Sequence, residues 1–503
     1  MRGADNPKVT DSSAPLEKTR DLSALSFWLL IGMIALIGVG KSVINNTLDP
    51  DVFWHLRVAE QLDRDGIHPL VDQLSYMSMK TPWTPYSWFA EFVMRGVWQH
   101  HGYRGAIAGE AFMVAAFIVL IALTCVAYTG GGRRLNGALA TAFGAFLSIP
   151  YLSFRPITMA LVLLALATWL LVRDRRRPGY GVWLIVPITA LLANIHLCVI
   201  VVPIWVTCLL IGAVREKKDV RKYAILLALV VLASCATPML LGAVKAAWRY
   251  ESADVMVSSD IIAEMRPVYY GWLGKVTVGL CAALFVAAVI RRERLRDGDW
   301  LMLIAGALLM LRLGRFAPIF ALIAAPVAAA TVPALSDRLL RRPIIAAALA
   351  IALVLNLVRI AMAFPGADVP MEKWVNRRGP ELPSFPVGAA DYVDKNVPPR
   401  AGRLINEFNA GGYLAWRLGE KFKVFVDGRT QCYTPRFWAA TYLGDEPNAS
   451  VFERQSADVA ILPRLKSRFH DTLIEMGWRS VWHDDFAEVL LPPMPTTTTA
   501  PTE

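Results

Sequence analysis

Eleven apolar runs divide this chain, at about 24–44, 106–128, 136–153, 157–172, 181–197, 199–214, 223–245, 274–290, 300–314, 317–334 and 343–363. A helix crossing a bilayer needs roughly 20 apolar residues, and a span must satisfy its own backbone hydrogen bonds, so the runs read as transmembrane helices. Several are shorter than that length; tilt or partial burial in protein accommodates them. The loops between the runs alternate in charge. One set carries Arg133 and Arg134, then Arg173 to Arg177, Arg215 to Lys222, Arg291 to Arg296, and Arg338 to Arg342. Basic loops stay in the cytoplasm, so these and the tail 1–23 are assigned there. The alternation holds across all eleven runs. It leaves on the outer face the loop 45–105, the turn at Arg155, the turn at Asn194 and His196, the loop 249–271, the turn with Arg312 and Arg315, and everything after about residue 364.

Composition agrees with a multi-pass protein of the cytoplasmic (inner) membrane. The chain is 55% hydrophobic with a mean hydropathy of +0.43, above the roughly 45–50% apolar content of soluble domains. Its net charge of +11 resides in the short basic loops, so the bilayer is the partner it implies and nucleic acid is not. Five of the six cysteines fall in or beside apolar runs as small hydrophobes, and only Cys432 lies in the C-terminal part; neither a disulfide framework nor zinc spacing is present. The first apolar run lacks a small-residue cleavage site after it and reads as an uncleaved span.

After the last run the pattern changes. Residues 364–384 are rich in proline and glycine and read as a linker. From 385 to 491 short apolar strands (RLINEF, KVFVDG, VAILP, EVLLP) alternate with helical stretches near 388–394, 433–443 and 465–477, which gives an external α/β domain. The tail 492–503 is low-complexity. The expected fold class is thus a polytopic α-helical membrane protein of about 11 spans with a C-terminal external α/β domain. A Walker A motif and a GxGxxG are both absent, and the cytoplasmic loops are too short to house an ATP-driven engine.

The first external loop concentrates the chemistry. Asp49 and Asp51 bracket Pro50 at the mouth of the first span, a place where carboxylates are costly and are retained for function. Such a pair can hold a divalent cation such as Mg or Mn, orient a hydroxyl, or supply a general base whose pKa the bilayer edge raises. It can also cap an amphipathic helix starting near Val52. His55 and Arg57 follow, then Asp72, and then Trp83, Tyr86, Trp88 and Glu91. Trp and Tyr gather at membrane interfaces for physical reasons of their own; sugar rings also dock on aromatic faces, and Trp88 beside Glu91 would pair a stacking face with a carboxylate. On the same membrane face stand Arg155, His196, Glu264 and Arg315. Each is a helix-end anchor or, together, part of a phosphate site, since arginines bind phosphate by charge-assisted bidentate contact. In the C-terminal domain, Asp427 and Arg429 flank a glycine after a β-rich run. They form either a strand-turn with an internal salt bridge or a contact to the acceptor or the membrane loops.

These residues carry a family resemblance. DPDVFWHL at Asp49 to Leu56, WTPYSWFAE at Trp83 to Glu91, SFRP at Ser153 to Pro156, NIH at Asn194 to His196, the Arg315-Phe316 turn, GGYLAWRL and VFVDGR together resemble the GT-C superfamily of polytopic glycosyltransferases. The likeness is to bacterial relatives of protein O-mannosyltransferases and oligosaccharyltransferase catalytic subunits, and runs from about residue 24 to 491. The resemblance implies a GT-C-like domain at 24–363 and transfer of a sugar from a polyprenyl-phosphate-linked donor to a lipid, glycan or protein acceptor at the outer face. It makes Asp51, supported by Asp49, the base or acceptor-positioning residue. His55, Arg57, Trp88, Glu91 and Glu264 would shape the substrate site, and Arg155, His196 and Arg315 would hold the donor phosphate. A cation at Asp49 and Asp51 is allowed but not required, because a monophosphate donor leaves less charge to neutralise than a nucleotide diphosphate. The rival readings are a lipid or glycan transporter, which would want charges in mid-span, and a non-catalytic scaffold with an external binding domain.

Overall fold

The structure is a computed structural model that describes residues 21–45, 48–251, 262–380 and 385–493. Most of the N-terminal tail, residues 252–261 of the outer loop, 381–384 of the linker and 494–503 of the C-terminal tail lie outside the described residues.

Each of the eleven apolar runs is helical. Among the described residues, seven helices have the length and apolarity to cross a membrane: Ser23–Asn45, Trp88–Thr129, Pro156–Arg176, Leu197–Arg215, Gly271–Ile290, Gly314–Thr331 and Pro343–Ala363. The protein is therefore a membrane protein. The other four runs form shorter helices, Arg134–Ser148, Ile185–Leu192, Arg221–Ser234 and Asp297–Arg312. They share one apolar core with six of the long ones, through residues such as Ala140, Leu192, Leu226 and Met302. The expected run 223–245 departs from a single span. It breaks after Ser234 and resumes as Leu240–Glu251, because Pro238 lacks the N–H that would continue the helix and biases Thr237 away from helical geometry.

Helix α1 (Ser23–Gly40) ends in a π-turn, Lys41–Asn45. Its terminal carbonyls are capped from the segment that follows the last long helix: Arg377 donates to Val43 and Ile44 at 3.3 and 3.2 Å, and Arg378 donates to Asn45. Helix α2 (Asp51–Asp65) follows. Helix α3 (Trp88–Thr129) starts well inside the outer loop and bends at Gly102, whose φ of 59° and ψ of −152° only glycine adopts without strain. The bend turns the amphipathic segment before it away from the apolar segment beyond.

The C-terminal sheet has five strands: β1 (Arg403–Asn406), β2 (Lys423–Val424), β3 (Val459–Pro463), β4 (Arg479–His483) and β5 (Ala487–Leu491), in the order β2-β1-β3-β5-β4. β1 is parallel to β2 and β3; β5 is antiparallel to β3 and β4. β4 escapes the sequence reading because as an edge strand it has no buried face to impose an alternating pattern: Arg479, Ser480, Val481 and His483 are all exposed.

The sheet domain and the outer loop form one packed unit. Phe53 of α2 is fully buried, and its ring meets those of Trp98, Phe385, Tyr413 and Trp416 at 5.2–5.6 Å. Its burial contributes on the order of 1.5–3 kcal/mol. The outer edge of β2 is closed by the loop: Val424 donates to Leu74 at 3.0 Å and accepts from Tyr76 at 3.1 Å. The Asp49–Asp51 turn is thus held between the end of a span and a rigid domain.

Candidate active site

A cavity of about 220 Å³ lies where the outer ends of the helices meet the sheet domain. Asp49, Asp51, His55, Glu91, Arg155, His196, Glu264, Arg315 and Arg429 all line it, along with Trp54, Trp83 and Tyr86. Residues up to 380 positions apart in the sequence therefore converge on one face of the membrane bundle.

The acidic turn is built by its own backbone. Pro50 precedes the helix, and the Asp49 carboxylate accepts from the Asp51 N–H at 3.0 Å. The N-cap position itself is taken by Pro50 and carries no side-chain cap bond, so neither aspartate is the N-cap the spacing allowed; Asp49 instead closes a two-residue turn onto the first helical N–H. The other Asp49 oxygen accepts from Ser153 Oγ at 2.8 Å. Arg155 stands one residue before the helix Pro156–Arg176, in extended backbone that the following proline favours. Its guanidinium is the hub of the site. Nη2 meets Asp51 Oδ2 at 2.8 Å, while Nη1 lies 3.6 Å from Asp49 and 3.3 Å from Glu264. Arg315 reaches the other side of Glu264 at 3.7 Å. A divalent cation on Asp49 and Asp51 would have to displace the Arg155 guanidinium. Among the described residues, no group of three or more His, Cys, Asp or Glu side chains is arranged to hold a metal ion.

Burial pushes the Asp51 carboxyl up to about 6; Arg155 opposes this without cancelling it, and Asp49 adds to the rise. Burial also holds both histidines neutral. His55 falls well below its usual range, and His196 falls to about 3 with Arg315 and Arg155 adding to the effect. Glu264 behaves oppositely: burial would raise it, but Arg155 and Arg315 outweigh that and keep it ionised.

Behind the acidic turn, His55 Nδ1 and Glu91 Oε1 lie 3.0 Å apart, both buried. His196 Nδ1 accepts from the Cys198 N–H at 3.2 Å, and its ring meets Tyr86 edge-on. Arg429 is fully buried. It binds Asp427 through Nε at 3.0 Å and Nη2 at 2.6 Å, and Asp72 of the outer loop through Nη1 at 2.5 Å. The strand-turn salt bridge and the contact to the membrane loops are thus both present. Asp427 itself does not line the cavity. Between them, Gly428 packs so close to Asp51 that a Cβ there would run into its carboxylate.

Besides Asp427, two more of the expected residues stand elsewhere. Arg57 pairs with Glu60 at 2.6 Å, one turn along α2, and faces away from the cavity. The Trp88 indole donates to Asn194 at 2.9 Å and ties α3 to the neighbouring helix turn, leaving Trp54 and Trp83 as the indoles that line the cavity. Ser153 and Gly428 were not singled out as site residues. The first is visible in SFRP only once Asp49 is known to approach it, and the second only once the two domains are seen to touch.

No family model matches this chain, and comparison with curated proteins finds no match. Solved structures do resemble it. The oligosaccharyltransferase of Archaeoglobus fulgidus, crystallised with a tethered acceptor peptide, has a TM-score of 0.56 at 14% identity, over 87% of this chain and 69% of its own. ArnT from Cupriavidus metallidurans, crystallised with undecaprenyl phosphate, has a TM-score of 0.52 at 14% identity, over 93% and 98%. A complex of the archaeal enzyme AglB with an inhibitory peptide and a dolichol-phosphate gives 0.52 at 12% identity, over 87% and 69%. At these identities the likeness is one of fold: the chain shares its fold with the archaeal oligosaccharyltransferase and with ArnT.

Proposed function

We propose that this protein is a membrane glycosyltransferase that moves a sugar from a polyprenyl-phosphate-linked donor to an acceptor at the outer face of the cytoplasmic membrane. The observation that carries the reading is the convergence of Asp49 and Asp51 with Arg155, Arg315 and His196 in one cavity. The fold supports it, because two of the neighbours were crystallised with undecaprenyl phosphate and with a dolichol-phosphate. The N-terminus and basic loops lie in the cytoplasm, and the sheet domain lies outside.

In this reading the acceptor nucleophile gives its proton to the Asp51 carboxylate and attacks the anomeric carbon. The bond from that carbon to the phosphate oxygen breaks with its electron pair, and the configuration inverts. The polyprenyl phosphate that leaves has its charge met by Arg155 and Arg315. Asp49 positions Asp51, and His55 and Glu91 border the sugar. A divalent cation enters this scheme only if it takes the place of Arg155 between the aspartates.

The experiment is release of polyprenyl phosphate from a panel of labelled polyprenyl-phosphate sugars by the purified protein in lipid vesicles. Acceptor-dependent release supports the reading; failure both to bind and to turn over any donor sinks it. The pH profile adds a sharper test. Asp51 works as a carboxylate, so activity should rise as pH climbs through about 6 and level off above it. A profile flat down to pH 4.5 would remove Asp51 as the base.

A further inference from the structure

The two arginines proposed to receive the donor phosphate are not open to it. Glu264 lies between them, 3.3 Å from Arg155 Nη1 and 3.7 Å from Arg315 Nη2, and accepts the charge of both. Resting on the reading above, we propose that Glu264 holds the place of the donor phosphate, and that donor binding exchanges one anion for the other.

Charge makes both at once unfavourable. Around Arg155 and Arg315, Asp49, Asp51 and Glu264 already set three carboxylates against two guanidiniums; the third guanidinium of the cavity, Arg429, is matched by Asp427 and Asp72, and His196 is neutral and adds no cation. A phosphodiester would make four anionic groups around these two cations in a half-buried site, where like charges repel more strongly than in open water. Space argues the same way. The cavity, at about 220 Å³, is smaller than the ~300–1,000 Å³ of sites that enclose a drug-sized ligand. Displacement of Glu264 would add its own volume to the site.

Glu264 is also the most readily moved of these groups. Its side chain is 30% exposed, against 16–17% for the arginines. Its segment packs through Met265 against Leu313, flanked by Ile262 and Phe316, which also touch the sheet-domain core and the bundle core. The exchange would free Arg155 Nη1 and leave the Nη2 contact to Asp51 intact. Return of Glu264 after transfer would help to expel the polyprenyl phosphate product.

The test is binding of a short-chain prenyl monophosphate to the purified full-length protein, read by calorimetry. Glu264→Gln keeps the shape and removes the charge; it should tighten binding about tenfold, and Glu264→Ala should shift it in the same direction. Unchanged or weaker binding in both variants overturns the exchange. Arg315→Gln separates the two ideas. If it loses binding while both Glu264 variants match wild type, the phosphate site stands and the exchange falls. If it binds as well as wild type, the phosphate lies elsewhere and both fall.

Discussion

The Asp51→Asn protein is expected to fold, to bind donor, and to transfer sugar about 10²–10⁴-fold more slowly, the usual loss when a positioned general base is removed. Asparagine has the size of aspartate and can still accept a hydrogen bond from Arg155, so the site keeps its shape. What it cannot do is take a proton. Donor affinity should therefore survive while turnover collapses, which locates the defect in the chemical step. Asp49→Asn should cost less. Its amide oxygen can still accept from the Asp51 N–H, and its amide NH2 can donate to Ser153 Oγ where the second carboxylate oxygen now accepts, so both links that hold the turn survive with one reversed. Gly428→Ala tests the same residue from behind, since the added methyl would push on the Asp51 carboxylate. Full activity in Asp51→Asn would remove this carboxylate from the mechanism.

Much of this architecture is written locally and so could be read from the sequence. Apolar runs separated by basic loops carry their own solvent preference, and every run became helical, with the run 223–245 split in two at Pro238. The four that are too short to cross alone could not be told from spans, because what they pack against is decided by neighbours distant in the chain. The Asp49-Pro50-Asp51 turn was legible for a similar reason: proline and a turn-closing carboxylate act within three residues. Arg155, His196, Glu264 and Arg315 could be placed on the same membrane face by counting helices, but not at 2.8 to 3.7 Å from their partners. Arg57 and Trp88 misled for an instructive reason. Both lie in the right loop, but helical rotation decides which side chains point inward; Arg57 found Glu60 along its own helix. The strand β4 hid because an exposed edge needs no alternating pattern. The join between outer loop and sheet domain was the least visible feature, since it rests on side chains some 350 residues apart.

That join supplies the second large expected effect. Arg429→Met should destabilise the protein by about 3–5 kcal/mol, the cost of removing one partner from a buried ion pair. The guanidinium is 0% exposed and holds two carboxylates, Asp427 at 0% and Asp72 at 1%. Without it, two like charges would face each other away from water. Backbone N–H donors from Leu74 and Ser75 would still reach Asp72, which softens the penalty but cannot remove it. Because Asp72 belongs to the outer loop and Gly428 touches Asp51, the damage should extend to the site, and activity should fall at temperatures below the melting transition. Replacing all three residues, with Asp72→Asn and Asp427→Asn added, removes the stranded charges and should recover part of the loss. The check is thermal unfolding of the three proteins in one detergent. A melting temperature for Arg429→Met equal to wild type would mean that the two domains are held by the aromatic packing around Phe53, with the buried charges contributing orientation and not stability.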